Sequence, residues 1–404
     1  MEKKHKILEI SPFTLSLPLD GGKECIVERI KYFANNKNID IRLITLNTNN
    51  IGNMKENLFN LSDIKTIPIN KSKSKITSVL KWMLLNKPKT IIDFNAVGYR
   101  EKITNYILNE KFEVVVFEFP YTTEFVDLKK LKTNDIRIVI VAHGVEEEFF
   151  RELRSLDLPQ FIIDVETKRW NKYEKKILNL ADTVIGIAPN DVSFLRENHE
   201  LNNIYYLPPY LKKENKFWVD NEDSNYIIFC GSLSFLPNYH GIKWFLDKVC
   251  QGDLTCLGNG KVKLKITGKI SEKIKDEFSK YKNIDFTGYL SDEDLEKLML
   301  NAKCSIVPIL IGSGIKIKLL KSLSYGIPTI TTMHGASGII YDGQEPFYIG
   351  KNESMFLSLT NLLINNRDKR KILSKRAKQF FESVYASEKN IKNWENLILD
   401  GRYE

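Results

Sequence analysis

The segment from Cys304 to Thr332 restricts the possible folds more than any other part of the chain. It holds a short β-branched strand from Ser305 to Pro308, a loop, a helix, a Gly326-Ile327-Pro328 stop and a second strand from Thr329 to Thr332. The helix sets Ile315, Leu319, Leu320 and Leu323 on one face at helical spacing. It closes at Gly326 with Pro328 just beyond, the usual end signals. Strand, helix and strand in such quick succession belong to an α/β layered domain. In the loop ahead of the helix, Gly312-Ser313-Gly314 frees backbone N–H groups at a helix N-terminus, and Lys316 and Lys318 follow. Free amides, the positive end of a helix dipole and two cations suit an anion, phosphate above all. An ordinary strand–helix–strand unit with solvated lysines has the same spacing. A Gly-x-Gly loop does not by itself choose between the two.

The same pattern recurs along the chain. A strand from Lys6 to Ile10 leads into a loop from Ser11 to Lys23 that holds Gly21 and Gly22. A helix with Ile26, Ile30 and Phe33 on one face follows, then a strand from Ile41 to Thr45. Gly21-Gly22 lacks dinucleotide spacing, so the loop reads either as the opening of a nucleotide-binding-like unit or as a plain turn. The strands from Val114 to Phe119 and from Arg137 to Ala142 are continuous and β-branched, as in a parallel sheet covered on both faces. The second ends at His143-Gly144-Val145-Glu146. Ligands of open α/β sheets sit at the carboxyl ends of strands, which makes His143 a candidate site residue or else a loop cap. A helix from Glu166 to Ala181 carries Trp170, Tyr173, Ile177 and Leu178. A strand and a new helix follow through Asp191, with Asn190 or Asp191 near the cap. Pro208-Pro209 and the polar run from Lys212 to Ser224 read as a linker. Beyond it, a strand from Tyr226 to Cys230, Gly231-Ser232 and a helix with Ile242, Phe245, Leu246 and Val249 repeat the phosphate-loop form. Tyr289 and Leu290 precede a helix whose N-cap is Ser291. A last helix carries Ile391, Trp394, Leu397 and Ile398. The expected domains are residues 1–208, a linker at 209–224, a second domain at 225–380 and a closing helix at 381–404.

At 404 residues, with 43% hydrophobic and 27% charged, the chain suits two soluble globular domains. No stretch reaches the ~20 apolar residues that span a bilayer. Five cysteines without metal-ligand spacing suggest free thiols in the cytoplasm, and no acidic metal motif stands out. The net charge of +9 points to anionic partners. Between Lys71 and Lys89 lie Lys71, Lys73, Lys75, Lys81, Lys87 and Lys89, interleaved with Ile76, Val79, Leu80, Trp82, Met83, Leu84 and Leu85. That pattern fits a helix on an anionic membrane surface or a core-packed helix with a solvated lysine face. The charge alone would also admit a nucleic acid, but no helix-turn-helix or other nucleic-acid motif accompanies it, and none is expected as a partner.

"GSGIKIKLLKSLSYGIPTITT" resembles the nucleotide-sugar segment of retaining GT-B glycosyltransferases, family 4-like (group 1). "YEKKILNLADTVIGIAPND", with Ala188 where a serine is usual, and His143-x-x-Glu146 are similar to that family as well. The resemblance runs from the first strand to at least Thr332. It implies an α/β GT-B fold: two Rossmann-like domains, each on a parallel sheet, facing an interdomain cleft. It further implies donor phosphate contacts at Gly21, Gly22, Gly231, Ser232, Gly312, Ser313, Gly314, Lys316 and Lys318. His143 would be the catalytic-side contact to the transferred sugar, and Tyr289, Leu290 and Lys321 would lie at the nucleoside. No cofactor or metal is implied, only a UDP- or GDP-linked sugar as substrate.

The family's two acidic positions are Ser313 and Lys321 here, so the ribose contact differs from the usual pattern. The resemblance implies sugar transfer, with retention of configuration, to a glycan or lipid-linked acceptor. This would serve bacterial surface polysaccharide or glycoconjugate synthesis, in the cytoplasm or at the inner membrane face. The alternative is a catalytically weak binding or chaperone subunit of a glycosyltransferase complex.

Overall fold

The computed structural model describes residues 4–13, 15, 21–47, 64–68, 75–94 and 98–403. It divides into two compact units, Met1–Leu211 with Glu388–Glu404, and Lys212–Ser387. The first is built on seven strands: β1 (His5–Ser11), β2 (Ile39–Asn47), β3 (Ile64–Pro68), β4 (Val114–Glu118), β5 (Arg137–Ala142), β6 (Thr183–Gly186) and β7 (Ile204–Tyr206). Their order is β3-β2-β1-β4-β5-β6-β7, every neighbouring pair parallel. Runs such as VVVFE in β4 are buried along their whole length because helices cover both faces of the sheet. From β1 the chain builds outward through β2 and β3, then returns to add β4 on the other side. That reversal leaves a crevice at the carboxyl ends of β1 and β4, where open α/β sheets hold their ligands.

The core beside this sheet contains Phe117, Ile140, Trp170 and Val184. The final helix, Glu388–Leu399, also belongs to this unit: Ile391, Trp394, Leu397 and Ile398 are all buried. Its Trp394 Nε1 donates to the Pro208 carbonyl at 2.9 Å.

The second unit carries β8 (Tyr226–Cys230), β9 (Lys263–Thr267), β10 (Ile284–Gly288), β11 (Ser305–Val307), β12 (Thr329–Thr332) and β13 (Tyr348–Gly350). The order is β10-β9-β8-β11-β12-β13, again all parallel. The reversal here lies between β8 and β11.

Several boundaries differ from the sequence expectations, each for a packing reason. Residues 381–387 stay with the second unit, because Phe381 of the helix Arg367–Val384 and its C-cap Tyr385 are buried there in a stacked pair with ring centroids 5.8 Å apart. The expected linker is part of the second unit from Lys212 on. Its Trp218 is buried beside Tyr226, Met299 and Tyr325 and donates to the Ala302 carbonyl at 2.7 Å. Gly21 and Gly22 open the helix Gly21–Asn35 instead of lying in a loop. The helix after β6, Pro189–His199, is capped at Ala188 with no side-chain cap, and Asn190 and Asp191 lie inside its first turn. Pro189 sets that first turn, where its missing N–H costs nothing.

Trp394→Ala removes a fully buried indole, and it should lower the unfolding free energy of the first unit by about 3–5 kcal/mol. Urea unfolding followed by far-UV circular dichroism checks this; an unchanged midpoint would mean the last helix is only loosely attached.

Candidate functional site

In the second unit three strand ends converge at the β8/β11 reversal. β8 runs into Gly231 and Ser232. The loop after β11 brings Gly312 against the start of the helix Leu236–Trp244, where a Cβ on Gly312 would lie 3.6 Å from Pro237 Cγ. Gly268, just after β9, has φ +97°, and a Cβ there would lie 2.8 Å from the Ser232 nitrogen. Only glycine fits both that dihedral and that approach. Ser232 Oγ donates to the Lys269 carbonyl at 2.7 Å, and Asn238 Nδ2 donates to the Ser232 carbonyl at 2.8 Å. These bonds hold the Gly231-Ser232 loop against its neighbours.

The helix after the Gly312 loop begins at Ile317, with Lys316 at its N-cap, so Ile315 packs ahead of the helix and not on its face. The two lysines then separate. Lys316 is buried and turned back on its own loop: Nζ donates to the carbonyls of Gly312 at 2.5 Å and Gly314 at 2.7 Å. His334 Nε2 donates to the same Gly312 carbonyl at 2.9 Å. Lys316 therefore sets the shape of the loop. The Lys318 ammonium has no hydrogen-bond or ion-pair partner among the described residues. Burial, reinforced by the charge of Lys316, pushes its pKa down to about 8, and the Cys230 thiol at the end of β8 opposes this. A half-buried cation held below its usual range, at the end of the strand that opens onto Gly231, lacks only an anion.

Lys321 is turned elsewhere. Its Nζ pairs with Glu214 Oε1 at 2.8 Å and lies 4.9 Å from the centroid of the Tyr325 ring. Tyr289 is exposed after β10, with Leu290 half-buried beside it.

In the first unit, the β1/β4 reversal holds a buried polar cluster. Arg29 donates to Glu9 Oε1 at 2.5 Å and to Glu118 Oε1, and all three side chains are almost fully buried. Glu118 Oε2 meets His143 Nε2, and the His143 ring stacks on Phe119 at 4.4 Å between centroids. Burial raises the pKa of Glu118, but Arg29 and His143 outweigh it and hold the carboxyl down at about 2. Burial raises Glu9 well above the carboxylate range, and Glu118 adds to it against the pull of Arg29. One ionised and one neutral carboxyl around one guanidinium is the arrangement expected in a dry site. Farther along, burial raises Glu146 to about 7. Glu174 accepts the backbone N–H groups of Glu146 and Glu147 at 3.1 and 3.2 Å, which fixes the helix that follows His143.

Sequence reading named His143, Gly231, Ser232 and the Gly312 loop as candidates, but not Glu9, Arg29, Glu118 or Gly268. A lone acidic residue inside an otherwise apolar strand, as in ILEIS and VVVFE, was the available signal for the two carboxylates. Gly21 and Gly22 stand at the start of the helix after β1, outside the charge cluster.

Residues 224–366 match the family described as Glycosyl transferases group 1. The solved structures with this fold include sucrose-phosphate synthase from Thermosynechococcus elongatus, at a TM-score of 0.72 and 13% identity over 98% of both chains. Anabaena HepE in complex with UDP and glucose gives a TM-score of 0.68 at 9% identity, over 98% of this chain and 100% of that one. A curated relative, an uncharacterized 44.6 kDa protein in the cps region of Klebsiella pneumoniae, is 25% identical over 304 residues, 72% of this chain and 76% of its own length. The fold is GT-B, and the part of the chain that matches the group 1 model lies in the second unit. In this second unit the glycine-bearing strand ends and Lys318 occupy the β8/β11 reversal, while Lys321 with its Glu214 partner lies to one side.

Lys316→Met should cost the second unit about 1–3 kcal/mol, because two buried carbonyls lose their donor. Chemical denaturation of the variant checks it, and a midpoint equal to that of the parent would show that the loop holds its shape without this side chain.

Proposed function

We propose that the chain transfers a sugar from a UDP- or GDP-linked donor to a glycan or lipid-linked acceptor, with retention of configuration, in surface polysaccharide synthesis. The observation that carries this is the Lys318 ammonium, without a partner among the described residues, beside two glycine-bearing strand ends. A diphosphate would supply the missing countercharge, and backbone N–H groups at Gly231, Ser232, Gly312, Ser313 and Gly314 would complete its hydrogen bonds. Fixed donors and a cation aimed at the leaving diphosphate stabilise the charge that develops there, which is the main demand of such a transfer. His143 is assigned to the transferred sugar, Tyr289 and Leu290 to the nucleobase, and Gly21 and Gly22 to the donor's approach. No cofactor or metal takes part in this scheme. The UDP and glucose bound to HepE and the cps-region relative favour the same reading.

On the acceptor side, the first unit has a cavity of about 880 Å³ with an apolar wall of Leu85, Ile91 and Ile92 and cations at Lys81, Arg100 and Lys130. Apolar surface beside cations suits a lipid-linked phosphate. The helix Lys75–Leu84 borders it and exposes Val79, Leu80, Met83 and Leu84, the last at 82%. Trp82 does not share that face: its Nε1 donates to Glu166, and Arg169 packs over the ring at 4.7 Å. Lys71 and Lys73 lie outside the described residues. Among the described residues no helix is long and apolar enough to cross a membrane. An exposed apolar face with Lys81 and Lys87 at its side supports peripheral contact with an anionic bilayer.

The binding-subunit reading draws on Lys321. With a cation paired to Glu214 at this position, a ribose acceptor would have to come from elsewhere. A radiolabelled-donor assay, run alone and with partner transferases, separates the readings: turnover by the isolated chain excludes the subunit.

Donor binding should raise the melting temperature. Lys318→Met should weaken that binding by about 1.5–3 kcal/mol, the worth of a charge-assisted hydrogen bond, with no loss of stability in the ligand-free protein. Because the ammonium binds phosphate and the neutral amine does not, parent affinity should fall as pH rises through about 8, and the Met variant should lose this dependence. A flat pH profile in the parent, or unchanged affinity in the variant, removes Lys318 from the phosphate site.

For the membrane, liposome flotation should show binding to anionic vesicles that weakens with salt and with Lys81→Glu. Equal partitioning onto neutral vesicles, or none onto either kind, rejects the contact.

A further inference from the structure

His143 is the one candidate site residue whose side chain is held by a buried charge, and that charge is itself held from behind. Glu118, the last residue of β4, gives Oε1 to Arg29 and Oε2 to His143 Nε2. Arg29 also holds Glu9 of β1, and its guanidinium lies 4.6 Å from the centroid of the Trp394 indole on the last helix. Glu9 Oε2 has no hydrogen-bond partner among the described residues, which a neutral carboxyl tolerates far better than a carboxylate. On its other side the His143 ring stacks on Phe119, 19° from parallel. Phe119 has φ 70° and ψ 140°, a left-handed backbone that a bulky residue rarely adopts, so the surrounding packing enforces the stack.

An ionised carboxylate can only accept a hydrogen bond. A neutral His143 must therefore carry its proton on Nε2 and keep a lone pair on Nδ1, which has no partner among the described residues. We infer that Glu118 is the positioning residue for His143: anchored by Arg29, it fixes the imidazole as the Nε2–H tautomer and leaves Nδ1 as a hydrogen-bond acceptor for a ligand hydroxyl. The ligand in question is the transferred sugar, so the role of the acceptor atom rests on the proposed function, whereas the tautomer does not. The relay joins β1, the helix after it, β4, the loop after β5 and the last helix, and all of it lies within the first unit.

The test uses the way Arg29 divides the two oxygens. In Glu118→Gln the guanidinium, a donor, keeps the amide oxygen at the Oε1 position. The amide NH₂ then faces His143 Nε2 and donates to it, which moves the ring proton to Nδ1. The chain has five histidines, so ¹⁵N-histidine labelling of the full-length protein gives five ring spin systems, and His143→Gln assigns the one of interest. In the neutral form of the ring, the parent should show the Nε2–H pattern at His143 and Glu118→Gln the Nδ1–H pattern. The other four rings should be unchanged. Transfer measured in parallel should fall in kcat by roughly tenfold or more in the variant with little change in the donor KM. A merely structural role would move neither the tautomer nor the split between kcat and KM.

An Nδ1–H pattern in the parent, or the same tautomer in both proteins, overturns the inference. The parent spectrum decides even if the variant fails to fold. Should the tautomer switch while transfer is unaffected, Glu118 positions the ring but Nδ1 does not serve the sugar, and the assignment of His143 is what fails.

Discussion

Arg29 is the group on which the first unit most depends. Its guanidinium is almost completely buried, where an unpaired charge would be prohibitive, so the fold must bring carboxylates to it. They come from two strands that are neighbours in the sheet and far apart in sequence, β1 and β4. Breaking such a set by removing one member is far costlier than never having built it. The cluster thus fixes the β1/β4 pairing at the point where the sheet reverses direction. Trp394 adds a ring against the same guanidinium, which makes the last helix part of the arrangement even though residues 212–387 separate it from the rest of the unit.

The second unit meets the same topological problem with different chemistry. Its reversal point is held by close packing at glycines, Gly268 against the Ser232 backbone and Gly231 against the Asn238 side chain, and by Lys316, which gathers loop carbonyls around its ammonium. Carbonyl oxygens are drawn inward to that cation, and the loop takes one defined shape without any carboxylate. A carboxylate here would repel a phosphate. At the first unit's reversal point that objection does not apply, since the proposed ligand contact is a sugar hydroxyl and a fixed acceptor is useful there.

The alternation of short β-branched runs with helices made the architecture readable before any coordinates. A parallel sheet must be apolar on both faces, and VVVFE, RIVIVA and TITT could be little else. The glycine loops were legible because few residues tolerate such dihedrals. Side-chain direction was not. Lys316 and Lys318 are two residues apart and were both candidates for phosphate, yet one closes the loop and the other lies by β8. What separates them is where the helix begins: Lys316 is the N-cap with an extended backbone, and Lys318 is in the first turn. Helix starts are placed only to within a residue or two by sequence reasoning, and here one residue decides the role. The Arg29 cluster was hidden for another reason. It joins segments that only the folded sheet makes adjacent.

The different fates of the lysines also bear on whether the site is in use. A half-buried ammonium without a partner among the described residues costs folding free energy, and the depressed pKa of Lys318 expresses that cost. Lys316, two residues earlier, demonstrates that this loop can satisfy a lysine completely from its own carbonyls. Lys321, three residues later, demonstrates that a carboxylate can be brought to this helix, from Glu214. The chain therefore had two ways of neutralising a cation close at hand, and Lys318 uses neither. A strained group of this kind persists where a ligand completes it. The same comparison explains how Lys321 is accommodated. With Glu214 as its counterion it adds little net charge beside the Gly312 loop, and it leaves Lys318 as the cation for the proposed diphosphate.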